Sequence, residues 1–121
     1  MKKIEWTLPI KILSEANNTD HWTKKRKRIT LQHKWIWHTW NNSQQDIQMP
    51  CLIILTRIAP RELDYDNLVH AFKHIRDAVA NICYPGLAPG QADSKKDLSW
   101  EYKQEKGSPK EYAVKIEIIS L

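Results

Sequence analysis

The run Cys51-Leu52-Ile53-Ile54-Leu55-Thr56-Arg57-Ile58 constrains the fold more than any other segment. It is largely apolar and rich in β-branched residues, the composition of a strand buried on both faces at the centre of a sheet. Ala59-Pro60-Arg61 ends it, since proline cannot donate to a strand ladder. Upstream, Ile4, Trp6, Leu8, Ile10 and Ile12 alternate on one face and predict a first strand over 4–12, interrupted at Pro9. Downstream, Leu98, Trp100 and Tyr102 alternate, as do Tyr112, Val114, Ile116 and Ile118 after the turn Lys106-Gly107-Ser108-Pro109. That spacing predicts a hairpin of the third and fourth strands.

Two helices fit between the strands. Ser14 to Asn18 is a polar loop, and Thr19 or Asp20 is a candidate cap for a helix reaching about Trp40. Its apolar positions Trp22, Ile29, Ile36 and Trp40, with His33, share one side. Asn41 to Asp46 is a polar linker. Asp66 or Asn67 would cap a second helix to about Ile82, with the core stripe Leu68, Phe72, Ile75, Val79 and Ile82 at helical spacing. Tyr84 to Lys96 is a loop marked by Pro85-Gly86 and Pro89-Gly90. The expected fold is α+β: a small mixed sheet in β-α-β-α-β-β order, with two main helices on one face.

The 121 residues suit a single domain over 1–121. No apolar run has the length of a membrane span, and Met1-Lys2-Lys3-Ile4-Glu5-Trp6 lacks the apolar core of a secretory signal. Cys51 and Cys83 have no metal-ligand spacing and read as reduced, buried thiols of a cytoplasmic protein. The three glycines form no phosphate-cradling motif, so no nucleotide cofactor is expected.

The net charge is +5, and Lys24-Lys25-Arg26-Lys27-Arg28 carries all of it. Without those five, 14 basic residues balance 14 acidic ones. A concentrated basic patch is the electrostatic footprint of a polyanion-binding surface, although charge runs are commonly just solvated helix faces. Trp35, Trp37 and Trp40 read as core or dimer contacts; an exposed one would suit stacking on an unpaired base.

Arg61-Glu62-Leu63-Asp64-Tyr65-Asp66-Asn67-Leu68 sets two carboxylates two residues apart, just before the second helix. Alternation in an extended segment turns Asp64 and Asp66 the same way and Tyr65 away. Close carboxylates repel unless a cation lies between them, and hard divalent cations such as Mg²⁺ take oxygen ligands. Asp93, on the loop, is the candidate third carboxylate, with Asp97 the runner-up. A helix of about 17 residues spans about 25 Å, so the loop must return towards the helix start for Asp93 to join the pair. Asp66, His70, Lys73 and Asp77 follow at spacings of four, three and four and share a face. There Lys73 is placed to stabilise charge on a phosphate. The plainer alternatives are an N-cap for Asp66, a solvated Asp64 and a Lys73–Asp77 surface pair. His70 and His74 have a spacing that can hold zinc, but nothing nearby completes a closed site, so both read as solvated.

Leu63-Asp64-Tyr65-Asp66-Asn67-Leu68, the helix with Lys73 and Asp77-Ala78-Val79, Asp93 on its loop and the strand after it resemble the RusA-like Holliday-junction resolvases. The similarity runs from about Cys51 to the C-terminus, and an early loop with Asn17 and His21-Trp22 before a basic helix is also similar. The resemblance implies a homodimeric, Mg²⁺- or Mn²⁺-dependent endodeoxyribonuclease that makes paired nicks in four-way DNA junctions. It implies that Asp64, Asp66 and Asp93 bind metal and that Lys73 assists. Two positions depart from the family pattern. Its lysine stands one turn after the second aspartate, where this chain has His70, and Lys73 matches only if the helix carries three extra residues. The family also has an acidic pair at the third site, where this chain has Ala92-Asp93 after a longer loop. Two other functions compatible with the residues are a non-catalytic, structure-specific DNA-binding protein and a metal nuclease preferring flaps or forks.

Overall fold

A computed structural model describes residues 2–14, 21–87 and 91–121. The expectations for Asn17, for a cap at Thr19 or Asp20, and for Pro89-Gly90 fall outside the described residues. The chain runs β1 (Lys3–Leu8), α1 (Trp22–Ser43), β2 (Cys51–Ala59), α2 (Tyr65–Ala71), α3 (Lys73–Cys83), a 3-10 turn at Ala92–Ser94, β3 (Leu98–Lys106) and β4 (Ala113–Ser120). It is a mixed α+β fold with one four-stranded sheet in the order β1-β4-β2-β3.

The apolar run of β2 takes a central place, between β3 and β4. Its inward residues Cys51, Ile53 and Leu55 are fully buried, and outward Ile54 and Thr56 are buried too. β2 pairs parallel with β3 (Ile53 opposite Trp100) and antiparallel with β4 (Ile53 opposite Ile118). The expected β3–β4 hairpin therefore does not form: β2 lies between its two strands. The segment from Gly107 to Tyr112 steps over the end of β2, where the Gly107 N–H donates to the Ala59 carbonyl at 2.8 Å. A Cβ on Gly107 would lie 3.2 Å from both the Glu111 backbone oxygen and Ile58 Cγ2, so this close crossing favours glycine.

β1 stops at Leu8, before Pro9, rather than running to residue 12. Ile10 and Ile12 are nevertheless buried in the core beyond the strand. α1 is capped by the His21 side chain, which accepts from the Thr23 N–H at 3.2 Å. It extends three residues past Trp40, to Ser43. Only Ile36 and Gln32 are buried on it, so α1 packs by a narrow stripe. Trp40 packs edge-on to Trp6 at 6.2 Å. Trp22, expected on the apolar stripe, is exposed, as are Trp35 and Trp37, which leave the core and keep only the alternatives of a contact with another chain or with an unpaired base.

The second helix is two, α2 and α3, meeting at fully buried Phe72. There the Phe72 N–H is shared between the Leu68 and Val69 carbonyls at 3.2 Å each, which loosens the regular ladder. The predicted stripe of Leu68, Phe72, Ile75, Val79 and Ile82 is buried, packed with the inward face of the sheet.

Candidate active site

The head of α2 is held by side chains that grip its backbone. Asp64 is the cap, in extended conformation, and its Oδ1 accepts from the Asn67 N–H at 2.9 Å. Asn67 Nδ2 donates to Asp64 Oδ2 at 3.0 Å, and Ser14 Oγ donates to Asn67 Oδ1 at 2.8 Å. The cap is thus neither Asp66 nor Asn67. Because the helix begins at Tyr65, strand alternation does not govern Asp64 and Asp66. Asp64 turns onto the helix N-terminus, and Asp66 lies exposed in the first turn.

Two residues with no evident motif fix the approach to Asp64. The Gln104 side chain of β3 bonds both backbone groups of Leu63, accepting at 3.0 Å and donating at 2.7 Å. Arg57 of β2 donates to the Arg61 carbonyl at 2.6 Å. Burial lowers the Arg57 pKa from its ordinary value. Inward-facing polar residues in otherwise apolar or alternating strands were the available signal for both.

A cleft of about 320 Å³ opens further along the helix, lined by Val69, His70, Lys73, Arg76, Asp77, Asp93 and Tyr102. Asp93 reaches it because the loop after α3 folds back. Arg76 holds that loop: its Nε pairs with Asp93 Oδ2 at 3.2 Å, and its Nη2 donates to the Asp93 carbonyl at 3.2 Å. Arg76 Nη1 donates to the Tyr102 hydroxyl at 2.7 Å, while its guanidinium lies 4.7 Å over the Trp100 ring. Trp100 Nε1 also donates to the Asp93 carbonyl at 3.3 Å. Ala92 is buried, so an acid at that position would sit in the core and not in the cleft.

The loop returns to Arg76 and Asp77, ten residues or more beyond Asp66 and so about 15 Å along the axis. Asp64 and Asp66 do not line the cleft. Among the described residues, no group of three or more His, Cys, Asp or Glu side chains is arranged to hold a metal ion. The two regions touch through Tyr65, whose ring packs edge-on to Tyr102 at 6.4 Å. Lys73 and His70 both line the cleft. Asp97, by contrast, accepts from the Tyr84 hydroxyl at 2.9 Å, near the far end of α3.

Asp77 is the carboxylate that sequence spacing placed on the face of Asp66, His70 and Lys73 without counting it among the metal ligands. Burial raises its pKa above the ordinary 3.8, and the nearby charge of Asp93 raises it further; His74, His33 and Lys73 act in the opposite sense. His33, on α1, shifts down because it is half-buried, with Asp77 opposing that shift. A carboxyl raised in the native state holds its proton more strongly there than in the unfolded chain. Stability contributed by this group therefore falls as pH rises from 3.8 through the native pKa, and the full cost applies above it. Asp77→Asn should accordingly stabilise the protein at neutral pH by less than about 1 kcal/mol, given partial solvent screening. The gain should vanish towards pH 3.8, and denaturant melts across that range would show it. A gain that grows on acidification would rule this out.

The basic block forms the first two turns of α1. Lys24, Arg26 and Lys27 are exposed, whereas Lys25 and Arg28 are half-buried. No acidic residue occurs anywhere on α1. Five cations at a helix N-terminus oppose the macrodipole and weaken the helix end. Cys51 and Cys83 are both free, and burial, with a smaller contribution from Cys51, pushes the Cys83 thiol up to about 12. Among the described residues, no helix is long and apolar enough to cross a membrane. Comparison with protein-family models, with curated proteins and with solved structures finds no match to this chain.

Proposed function

We propose that the protein is a Mg²⁺-dependent endodeoxyribonuclease of RusA-like type, acting in the cytoplasm as a homodimer on four-way or related branched DNA. The observation that carries this reading is the return of the Asp93 loop onto α3. It brings a second carboxylate beside Asp77, in a cleft that also presents Lys73 and His70. The irregular turn at Phe72 is a place where the three extra helical residues required by the resemblance would be absorbed.

The donor chemistry fits a hard divalent cation. The charge of Asp93 raises the cost of ionising Asp77, a cost that a cation beside the pair would relieve. The carboxylates that would hold it are Asp93 and Asp77; Asp64 and Asp66, about 15 Å away along the helical axis, do not reach the same ion. Bound there, Mg²⁺ or Mn²⁺ supplies a water of lowered pKa and stabilises charge on the scissile phosphate. Lys73 adds positive charge where the phosphate oxygens gather charge, and His70 is the imidazole placed in the cleft for proton transfer. Arg76 and Tyr102 hold Asp93 in position. Lys24 to Arg28 supply the salt-sensitive grip on the DNA backbone.

Incubation of the protein with a labelled four-way junction, with and without Mg²⁺, tests this beside Asp93→Asn. Paired nicks that need Mg²⁺ and disappear in the variant support the proposal. Binding without cleavage in either protein leaves a structure-specific DNA-binding protein. Single, unpaired cuts near a flap or fork would point to the other nuclease class.

A further inference from the structure

A second cleft, of about 210 Å³, lies on the opposite side of α1 from its contact with α3. Pro9, Ile10 and Lys11 from the segment after β1 form one wall; Arg28, Gln32 and Trp35 from α1 form the other. Gln32 is only 6% exposed, and among the described residues its Oε1 has no hydrogen-bond partner. A buried acceptor without a donor is costly, and a ligand that brings an N–H relieves that cost. Trp35 is 40% exposed although tryptophan is ordinarily well buried, so it offers ring surface at the cleft. Two cations line the cleft, Lys11, held 4.3 Å over the Tyr112 ring, and Arg28, and α1 carries no acid.

We propose that this cleft receives one unpaired nucleobase of a DNA strand lying along α1, and that it does so away from the cleavage site. The base stacks on Trp35, an N–H on its edge donates to Gln32 Oε1, and the adjoining phosphates meet the cations of α1. Stacking on an aromatic side chain and a hydrogen bond to a base edge together distinguish a base from a bare backbone. A second copy of this chain is a poorer occupant, because pairing α1 with α1 opposes cations with no acid on either helix. The inference rests on the nucleic-acid reading for its partner, but not on cleavage.

Binding without divalent cation separates the two. A labelled thymine strand and an abasic strand of equal length would be titrated against the wild type, Trp35→Leu and Gln32→Leu at one low salt concentration. The wild type should prefer the thymine strand about tenfold or more, the lower part of the range for one stacked base. Trp35→Leu should lose that preference and Gln32→Leu should reduce it, both keeping their affinity for the abasic strand. Gln32→Leu removes the orphaned acceptor and fills similar volume, so it should fold at least as well as the wild type. Equal affinity of the wild type for both strands would overturn the base site and leave the basic surface intact. Binding of neither strand would overturn both. A change of oligomeric state in the variants, with strand preference retained, would assign the cleft to a protein contact and overturn the inference.

Discussion

Asp93→Asn is expected to lower Mg²⁺-dependent cleavage by about two to three orders of magnitude while leaving the fold intact. Asp93 belongs both to the ligand set implied by the resemblance and to the carboxylate pair found in the cleft. Its loss therefore removes a donor whichever set holds the ion. The loop should stay in place, because Arg76 Nη2 and Trp100 Nε1 bond the backbone carbonyl of residue 93, which the substitution keeps. Only the pairing of Arg76 Nε with the carboxylate is lost, and both partners retain solvent contact. Single-turnover cleavage of a labelled junction at saturating Mg²⁺, beside a thermal melt, checks both halves. An undiminished rate would remove Asp93 from the site. A large drop in melting temperature would mean that its role is structural.

Phe72→Ala should cost about 3–5 kcal/mol of stability, a large share of what a domain of this size possesses. Phe72 is fully buried at the junction of α2 and α3, with its ring 5.9 Å from Tyr102. Tyr102 in turn accepts the Arg76 hydrogen bond and packs against Tyr65. Truncation opens a cavity beneath the cleft and loosens the support of Asp93 through Tyr102 and Arg76. Denaturant unfolding measures the loss, and a cost below about 1 kcal/mol would mean that the two helices repack around the gap. A folded Phe72→Leu variant, which retains more volume, should recover most of the stability.

The sequence by itself determined where most elements lie and which faces β2, the α2–α3 segment and β4 bury. The apolar run of β2, the stripe from Leu68 to Ile82 and the alternation from Val114 to Ile118 all proved buried as read. Periodicity is a local property, and these segments follow it. The sequence also marked Lys73 and Asp93, both of which line the cleft. Pairing between strands was not legible. Alternation tells which side chains share a face but not which strand lies next, and the segment from Gly107 to Tyr112 is long enough to cover the two strand spacings, about 10 Å, from β3 past β2 to β4. Nor was the partner of Asp93 legible. Only the tertiary structure decided that the loop meets Arg76 and Asp77 in the middle of the helical pair rather than Asp64 and Asp66 at its head. Arg76 prevails there because its guanidinium can satisfy the carboxylate, a backbone carbonyl and Tyr102 at once, and contacts made across 17 and 26 residues leave no trace in local spacing.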